Sequence, residues 1–406
     1  MTKEIKIREI FENHYKKFWE ESSVKFPEEE REHINTEVMK MLSCGDTSKG
    51  FVAYICFICI SILKIGFTCK SRFCSKCGKK YVSQWVEKQR EKLFDVPHRH
   101  CIFTVPKEFR GYFFRNKKAL KDLQDMANET LCEYANGVDK RTRKEYEKKK
   151  RSKKSGVLWQ IAMIGVIHTF GRDLGFNPHV HVLVAEIKMK GKEIKEMPYL
   201  EYEYLRKVWQ YKLINYMMSK KPEKKTEYFE MFKAYKDGFY IHARTRMKSA
   251  KGAARYIGRY LARPAIAEYR ITGYDGENVT FWYEDHKTKK KIVVTLKAEE
   301  FIGKLTMHIA PKHFKMARVY GIYAGSIYQK VKQCYGLLRY IQSGLEAIQY
   351  TLKSYYKNST RKLTYRELMI RNFSKDPLKC RKCGKLMELW EIWHEKYGYI
   401  YDLCKI

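Results

Sequence analysis

Residues 177–187 read Asn177-Pro178-His179-Val180-His181-Val182-Leu183-Val184-Ala185-Glu186-Ile187. The run is β-branched and apolar enough to be a buried strand. Side chains alternate along a strand with period two, so His179 and His181 share one face. Two imidazoles on an otherwise apolar strand are costly unless something uses them. Upstream, Val157 to Phe170 is a second β-like run, and Gly171 to Pro178 is a turn. A hairpin centred between residues 174 and 175 sets His168 opposite His181, and cross-strand partners share a face. Three imidazoles then converge on one side of a two-stranded ribbon. Such a set can hold a divalent metal with positions left open for a substrate oxygen. A strand start with satisfied histidines is the ordinary reading of His-Val-His taken alone.

Further along, Lys251 to Pro264 has helical spacing and contains Tyr256 and Tyr260. Residues at i and i+4 lie on one helix face, about 5–6 Å apart at Cβ, so both phenols can reach one site. Arg255, Arg259 and Arg263 repeat at the same spacing, forming a cationic stripe suited to phosphates, and Pro264 ends the helix. A tyrosine hydroxyl has a reference pKa of about 10 and needs nearby cations or a metal to act as a nucleophile. The chain has 31 tyrosines, so such a pair is expected by chance, and by itself it reads as an aromatic core stripe. Its placement after the His-x-His strand is what gives it weight.

Cysteines make a third pattern. Cys56-x-x-Cys59 and Cys74-x-x-Cys77 are fourteen residues apart, close to the spacing of a four-cysteine zinc ribbon. Cys44 and Cys69 are spare ligands. Cys380 and Cys383 form a third pair, read as a second zinc site with His394 and Cys404 as available partners. Cys101, Cys132 and Cys334 read as core residues. Met1 to Lys17 has no apolar signal core, so the thiols are expected to stay reduced and the chain to be cytoplasmic. Phe51 to Leu63 is free of charge, but it is shorter than the roughly 20 residues of a spanning helix. It reads as buried β structure, with no membrane partner.

The 406 residues are 44% hydrophobic, so the chain folds and has room for two or three domains. With 82 Lys+Arg against 46 Asp+Glu the net charge is +36. A fold does not need that excess, and it costs self-repulsion; a polyanion explains it. Residues 137–156 are strongly basic and poor in apolar residues, and are expected as an exposed helix end or loop. Residues 1–43, 81–93, 110–135, 199–218 and 250–262 have helical spacing, 238–246 reads as a strand, and 268–296 as a hairpin turning at Tyr274-Asp275-Gly276.

Together these residues resemble the rolling-circle insertion-sequence transposases, which combine a His-hydrophobe-His endonuclease domain with two tyrosines. The stretches that carry the resemblance are Cys44-Gly45-Asp46, Cys69 to Cys74, His100 to Pro106, His168 to Leu174, Asn177 to His181, Tyr256 to Pro264 and Pro311 to Met316. The resemblance implies an α+β fold: an antiparallel-sheet palm flanked by helices, behind a small N-terminal zinc-ribbon-like domain. It implies three regions, a helical and zinc-binding DNA-binding domain over 1–95, the endonuclease over 96–330 and a helical region with a CxxC knuckle over 331–406. His179 and His181, with His168 as the third, would bind Mg2+ or Mn2+, and Tyr256 and Tyr260 would be nucleophiles. The cysteines would hold structural Zn2+. The expected partners are single-stranded DNA at element ends and target, and, since no P-loop is visible, a host helicase or replication proteins. No small-molecule substrate is expected. A plasmid relaxase or replication initiator shares the chemistry, and a non-catalytic zinc-ribbon DNA-binding protein shares the front; both remain open from sequence.

Overall fold

The structure is a computed structural model. It describes residues 5–90, 92–139, 141–151, 158–191, 193–197, 199–261, 264–285, 288–324, 364, 366–367, 369–370 and 376–405. Arg263, Cys334 and residues 331–363 of the expected helical C-terminal region (331–406) lie outside the described residues.

In chain order the elements begin with α1 (Ile7–Ser22), α2 (Glu28–Leu42), β1 (Gly50–Cys56), β2 (Ser61–Gly66), α3 (Ser75–Arg90), β3 (His98–Thr104), α4 (Lys107–Arg115), α5 (Leu120–Ala135) and α6 (Arg143–Arg151). Next come β4 (Gln160–Phe170), β5 (Phe176–Lys190), β6 (Glu193–Glu196), α7 (Tyr202–Lys220), α8 (Lys225–Ala234), β7 (Ile241–Met247) and α9 (Ala250–Leu261). The series ends with β8 (Ile271–Tyr274), β9 (Asn278–Glu284), β10 (Lys291–Lys297), α10 (Ala298–Thr306), β11 (Ala317–Gly321), β12 (Glu388–His394) and β13 (Gly398–Asp402). These elements form two compact units, each drawn from two stretches of chain: Met1–His33 with Gln84–Leu338, and Ile34–Ser83 with Arg339–Ile406. The linear order 1–95, 96–330, 331–406 is thus not the spatial one. The C-terminal strand β12 pairs with β1 near the N-terminus, which returns the end of the chain to its front.

The larger unit is built on an antiparallel sheet in the order β11-β4-β5-β3-β7, with β6 added beside the end of β5. Strand β5 is apolar on both faces because both are covered. Helices α4, α5 and α7 pack on one side and α9 on the other. Val180, Val182 and Val184 point to the first side, where they join Cys101, Phe103, Ile161, Met163 and Ile167 beneath Phe109, Leu123, Leu131, Trp209 and Leu213. The Trp209 indole N–H donates to the Thr104 carbonyl at 2.8 Å, tying α7 to the end of β3. By the same alternation His179 and His181 point to the α9 side. The basic segment forms α6, held by Arg143 to Glu133 at 2.9 Å and Lys150 to Glu129 at 2.9 Å, with Lys144, Lys148 and Arg151 exposed. Strands β8, β9 and β10 form a separate three-stranded sheet, which adds one strand to the expected hairpin. The Asp275 carboxylate accepts from the amides of Glu277 and Asn278 and so closes the expected turn.

The smaller unit carries the sheet β13-β12-β1-β2. The expected β run over 51–63 is a hairpin, but its tip is not buried: Phe57, Ile58 and Ile60 are exposed while Cys56 points inward. Among the described residues no helix is long and apolar enough to cross a membrane.

Candidate active site and metal clusters

The turn between β4 and β5 sets the histidines. Gly171 donates to the Gly175 carbonyl at 2.8 Å, and Leu174 takes a left-handed φ of 65°. The hairpin is centred one residue earlier than expected, between 173 and 174, so His168 lies opposite His179 and Val166 opposite His181. The register expected from sequence is therefore wrong by two residues. A shift of two preserves the face, and the three imidazoles still converge, with one ligand nitrogen from each within 4.8 Å of the others.

Hydrogen bonds determine which nitrogens can bind a cation. A neutral imidazole has one N–H and one lone pair, and a carbonyl can only accept. His179 Nδ1 sits 2.7 Å from the Asn177 carbonyl and carries its proton there, so Nε2 keeps the lone pair. His168 Nε2 contacts the Tyr260 carbonyl, which leaves Nδ1 as its donor atom. His179 Nε2 faces His181 Nε2 at 3.1 Å. His181 Nδ1 is 2.9 Å from Nε2 of His100. The donor set fits a divalent cation: carbonyls fix the tautomers of His179 and His168, and His181 has His100 as its outward partner, the usual second layer of metal-binding histidines.

Helix α9 brings the tyrosines to the same place. Tyr256 places its hydroxyl 3.2 Å from His100 Nδ1, and Tyr260 donates to the Tyr256 hydroxyl at 3.2 Å. The Tyr260 ring stacks on His181 at 4.0 Å. The apolar side of the helix, Ala253, Ala254 and Ile257, is buried, which leaves the two phenols no other direction. Arg255 and Arg259 are exposed, and the Arg259 guanidinium sits 4.7 Å over the Tyr256 ring. His100 lies in the His100–Pro106 stretch, and sequence alone gives it no role in the site. Its signal is the same alternation: in β3, His98 and His100 share the face opposite Cys101 and Phe103. Burial, and then the charges of His242, His179 and Arg259, push the His100 imidazole down to about 4, so the ring is neutral near pH 7.

Eight cysteines gather in two clusters, and neither is the ribbon set Cys56, Cys59, Cys74 and Cys77. Cys74 and Cys77 join Cys44 and Cys69; Cys56 and Cys59 join Cys380 and Cys383. CxxC spacing marks a half-site but not which half-sites meet, and the β1–β12 pairing changes that choice. In the first cluster Sγ of Cys77 is 3.6 Å from Cys44 and 3.5 Å from Cys69. A hydrogen bond with Cys69 draws the Cys74 thiol down to about 5, and the same bond pushes Cys69 up. Neither His394 nor Cys404 belongs to a cluster. Cys101 is buried as expected, and Cys132 is half-buried.

Comparison with known proteins places this geometry. Residues 162–331 match a family described as "Putative transposase", and residues 10–105 match one described as "Transposase zinc-binding domain". The transposase for insertion sequence element IS801 of Pseudomonas savastanoi pv. phaseolicola is 27% identical over 366 residues, covering 86% of this chain and 82% of its own. Over most of its length the chain is similar to this insertion-sequence transposase. A second relative, "Putative transposase y4qJ" of Sinorhizobium fredii (strain NBRC 101917 / NGR234), is 25% identical over 294 residues, 67% of this chain and 70% of its own. No solved structure matches the chain. Along this chain the "Putative transposase" match spans the three histidines and both tyrosines. The zinc-binding match spans Cys44, Cys56, Cys59, Cys69, Cys74 and Cys77.

Proposed function

We propose that this transposase nicks and rejoins single-stranded DNA at the ends of its element, through a 5′-phosphotyrosine intermediate, in rolling-circle transposition. The observation that carries this is the convergence of the two α9 hydroxyls on the His168, His179 and His181 cluster through His100. The three histidines would hold Mg2+ or Mn2+, which when bound withdraws charge from a scissile phosphate. Tyr256 is held by His100 and Tyr260 in one orientation, so attack needs little further ordering. Its oxygen forms the new bond to phosphorus as the hydroxyl gives up its proton to solvent, the bond from phosphorus to the 3′ oxygen breaks, and that oxygen takes up a proton from solvent and leaves as a hydroxyl. The phosphotyrosyl ester conserves the bond for rejoining by a 3′-hydroxyl. Tyr260, one turn away, can accept a second strand while the first is held. Arg255 and Arg259 offer charge to the flanking phosphates, with Arg263 as the next in the stripe. Cys44, Cys69, Cys74 and Cys77 hold a structural Zn2+ in the front unit. Unwinding would come from a host helicase or replication protein.

The test uses labelled single-stranded oligonucleotides carrying the element ends, with Mg2+ or Mn2+, followed by denaturation. A metal-dependent protein–DNA adduct is expected, lost in Tyr256→Phe, Tyr260→Phe or the double variant. Tight, salt-sensitive binding without an adduct would refute the nuclease reading and leave a DNA-binding protein.

A further inference from the structure

Neither family match reaches Cys380 or Cys383. We propose that Cys56, Cys59, Cys380 and Cys383 bind a second zinc ion, which fastens the C-terminal strands β12 and β13 to the β1–β2 hairpin.

The four sulfurs come from two knuckles of the same kind. Cys56 ends β1 and pairs with Ser61, so Cys59 lies in the turn between, where Ile60 takes a φ of 51°. Around Cys380, its amide donates to the Lys385 carbonyl at 2.8 Å and Gly384 donates to the Cys380 carbonyl at 2.9 Å. Gly384 has a φ of 73°, a left-handed conformation that glycine adopts without strain. Each knuckle therefore aims two thiols the same way, and the two knuckles face each other. Sγ of Cys56 is 3.4 Å from Cys383, and Sγ of Cys59 is 3.4 Å from Cys380 and 3.7 Å from Cys383. Four thiolates around zinc at about 2.3 Å lie roughly 3.8 Å apart, close to these spacings. A disulfide brings its sulfurs to about 2.05 Å, and all four thiols are free.

The surroundings suit a closed structural site. Cys56, Cys380 and Met387 form a buried cluster with Tyr54 and Leu63 packed against it. This shell excludes water from one side. Arg381, Lys382 and Lys385 are exposed around the second knuckle and offset the negative charge of four thiolates. A clip between residues 59 and 380 closes a very long loop, where such clips contribute most to stability. The β1–β12 ladder alone would hold the same strands by hydrogen bonds open to fraying.

The test is zinc content of the full chain, purified under reducing conditions, by inductively coupled plasma mass spectrometry. Two equivalents per chain are expected. C56S/C59S and C380S/C383S should each hold one, and the quadruple variant also one, because both pairs serve a single ion. C74S/C77S should lose the other. Cys383→His keeps a ligand and guards against misfolding: it should retain two equivalents, with an altered cobalt(II) absorption spectrum after metal exchange. One equivalent in the wild type, iron in place of zinc, two equivalents kept by C380S/C383S, or an unchanged cobalt spectrum in Cys383→His would each overturn the proposal.

Discussion

Acidification should weaken the central antiparallel sheet through His98, by an amount the structure allows to be worked out. The His98 ring is fully buried at the start of β3. Its Nδ1 lies 2.8 Å from the Val96 carbonyl and so carries the proton; its Nε2 accepts from the Tyr323 hydroxyl at 2.6 Å. Both nitrogens are satisfied in the neutral ring, and a second proton would place a charge out of reach of water. Burial accordingly lowers the folded value to about 4, against about 6.5 for the unfolded chain. As pH falls, the unfolded state takes up its proton first. The stabilisation is therefore complete above about 6.5 and is lost between 6.5 and about 4. From pH 7.5 to 5.5 this one ring costs about 1.3 kcal/mol of unfolding free energy. His98→Gln keeps a donor and an acceptor but does not titrate. Urea unfolding followed by tryptophan fluorescence, at both pH values, should show the pH-dependent loss shrink by about 1.3 kcal/mol in the variant. The comparison cancels acid effects on other groups, including the cysteine clusters. An equal loss in wild type and variant would refute the assignment of a neutral buried ring.

Two further outcomes follow from the site and the charge. His100→Leu removes the partner of His181 Nδ1 and of the Tyr256 hydroxyl; adduct formation should fall about 10- to 100-fold, measured as adduct yield across an Mn2+ titration. Single-strand binding should weaken steeply with salt, the logarithm of affinity falling by roughly 0.7 per neutralised phosphate for each tenfold rise in salt; a flat fluorescence-anisotropy titration would contradict a phosphate role for the +36 charge.

Much of the site was legible in sequence because its signals are local. Period-two alternation in β4 and β5 separates Val180, Val182 and Val184 from His179 and His181 without reference to the rest of the chain. Four-residue spacing in α9 puts Tyr256 beside Tyr260, and CxxC spacing marks each cysteine knuckle. These regularities follow from backbone geometry, which every segment carries with it. What they leave open is the partner. The β4–β5 register depends on a turn whose left-handed Leu174 gives no sequence warning, and only the preserved face rescued the histidine triad. His100 joins the site because β3 inserts between β5 and β7, a pairing of strands far apart in the chain. Cys56 and Cys59 meet Cys380 and Cys383 for the same kind of reason. Sequence alone determined which side chains share a face and which cysteines form a knuckle. Tertiary structure decided which faces and halves meet, because long-range strand pairing depends on contacts that no local segment contains.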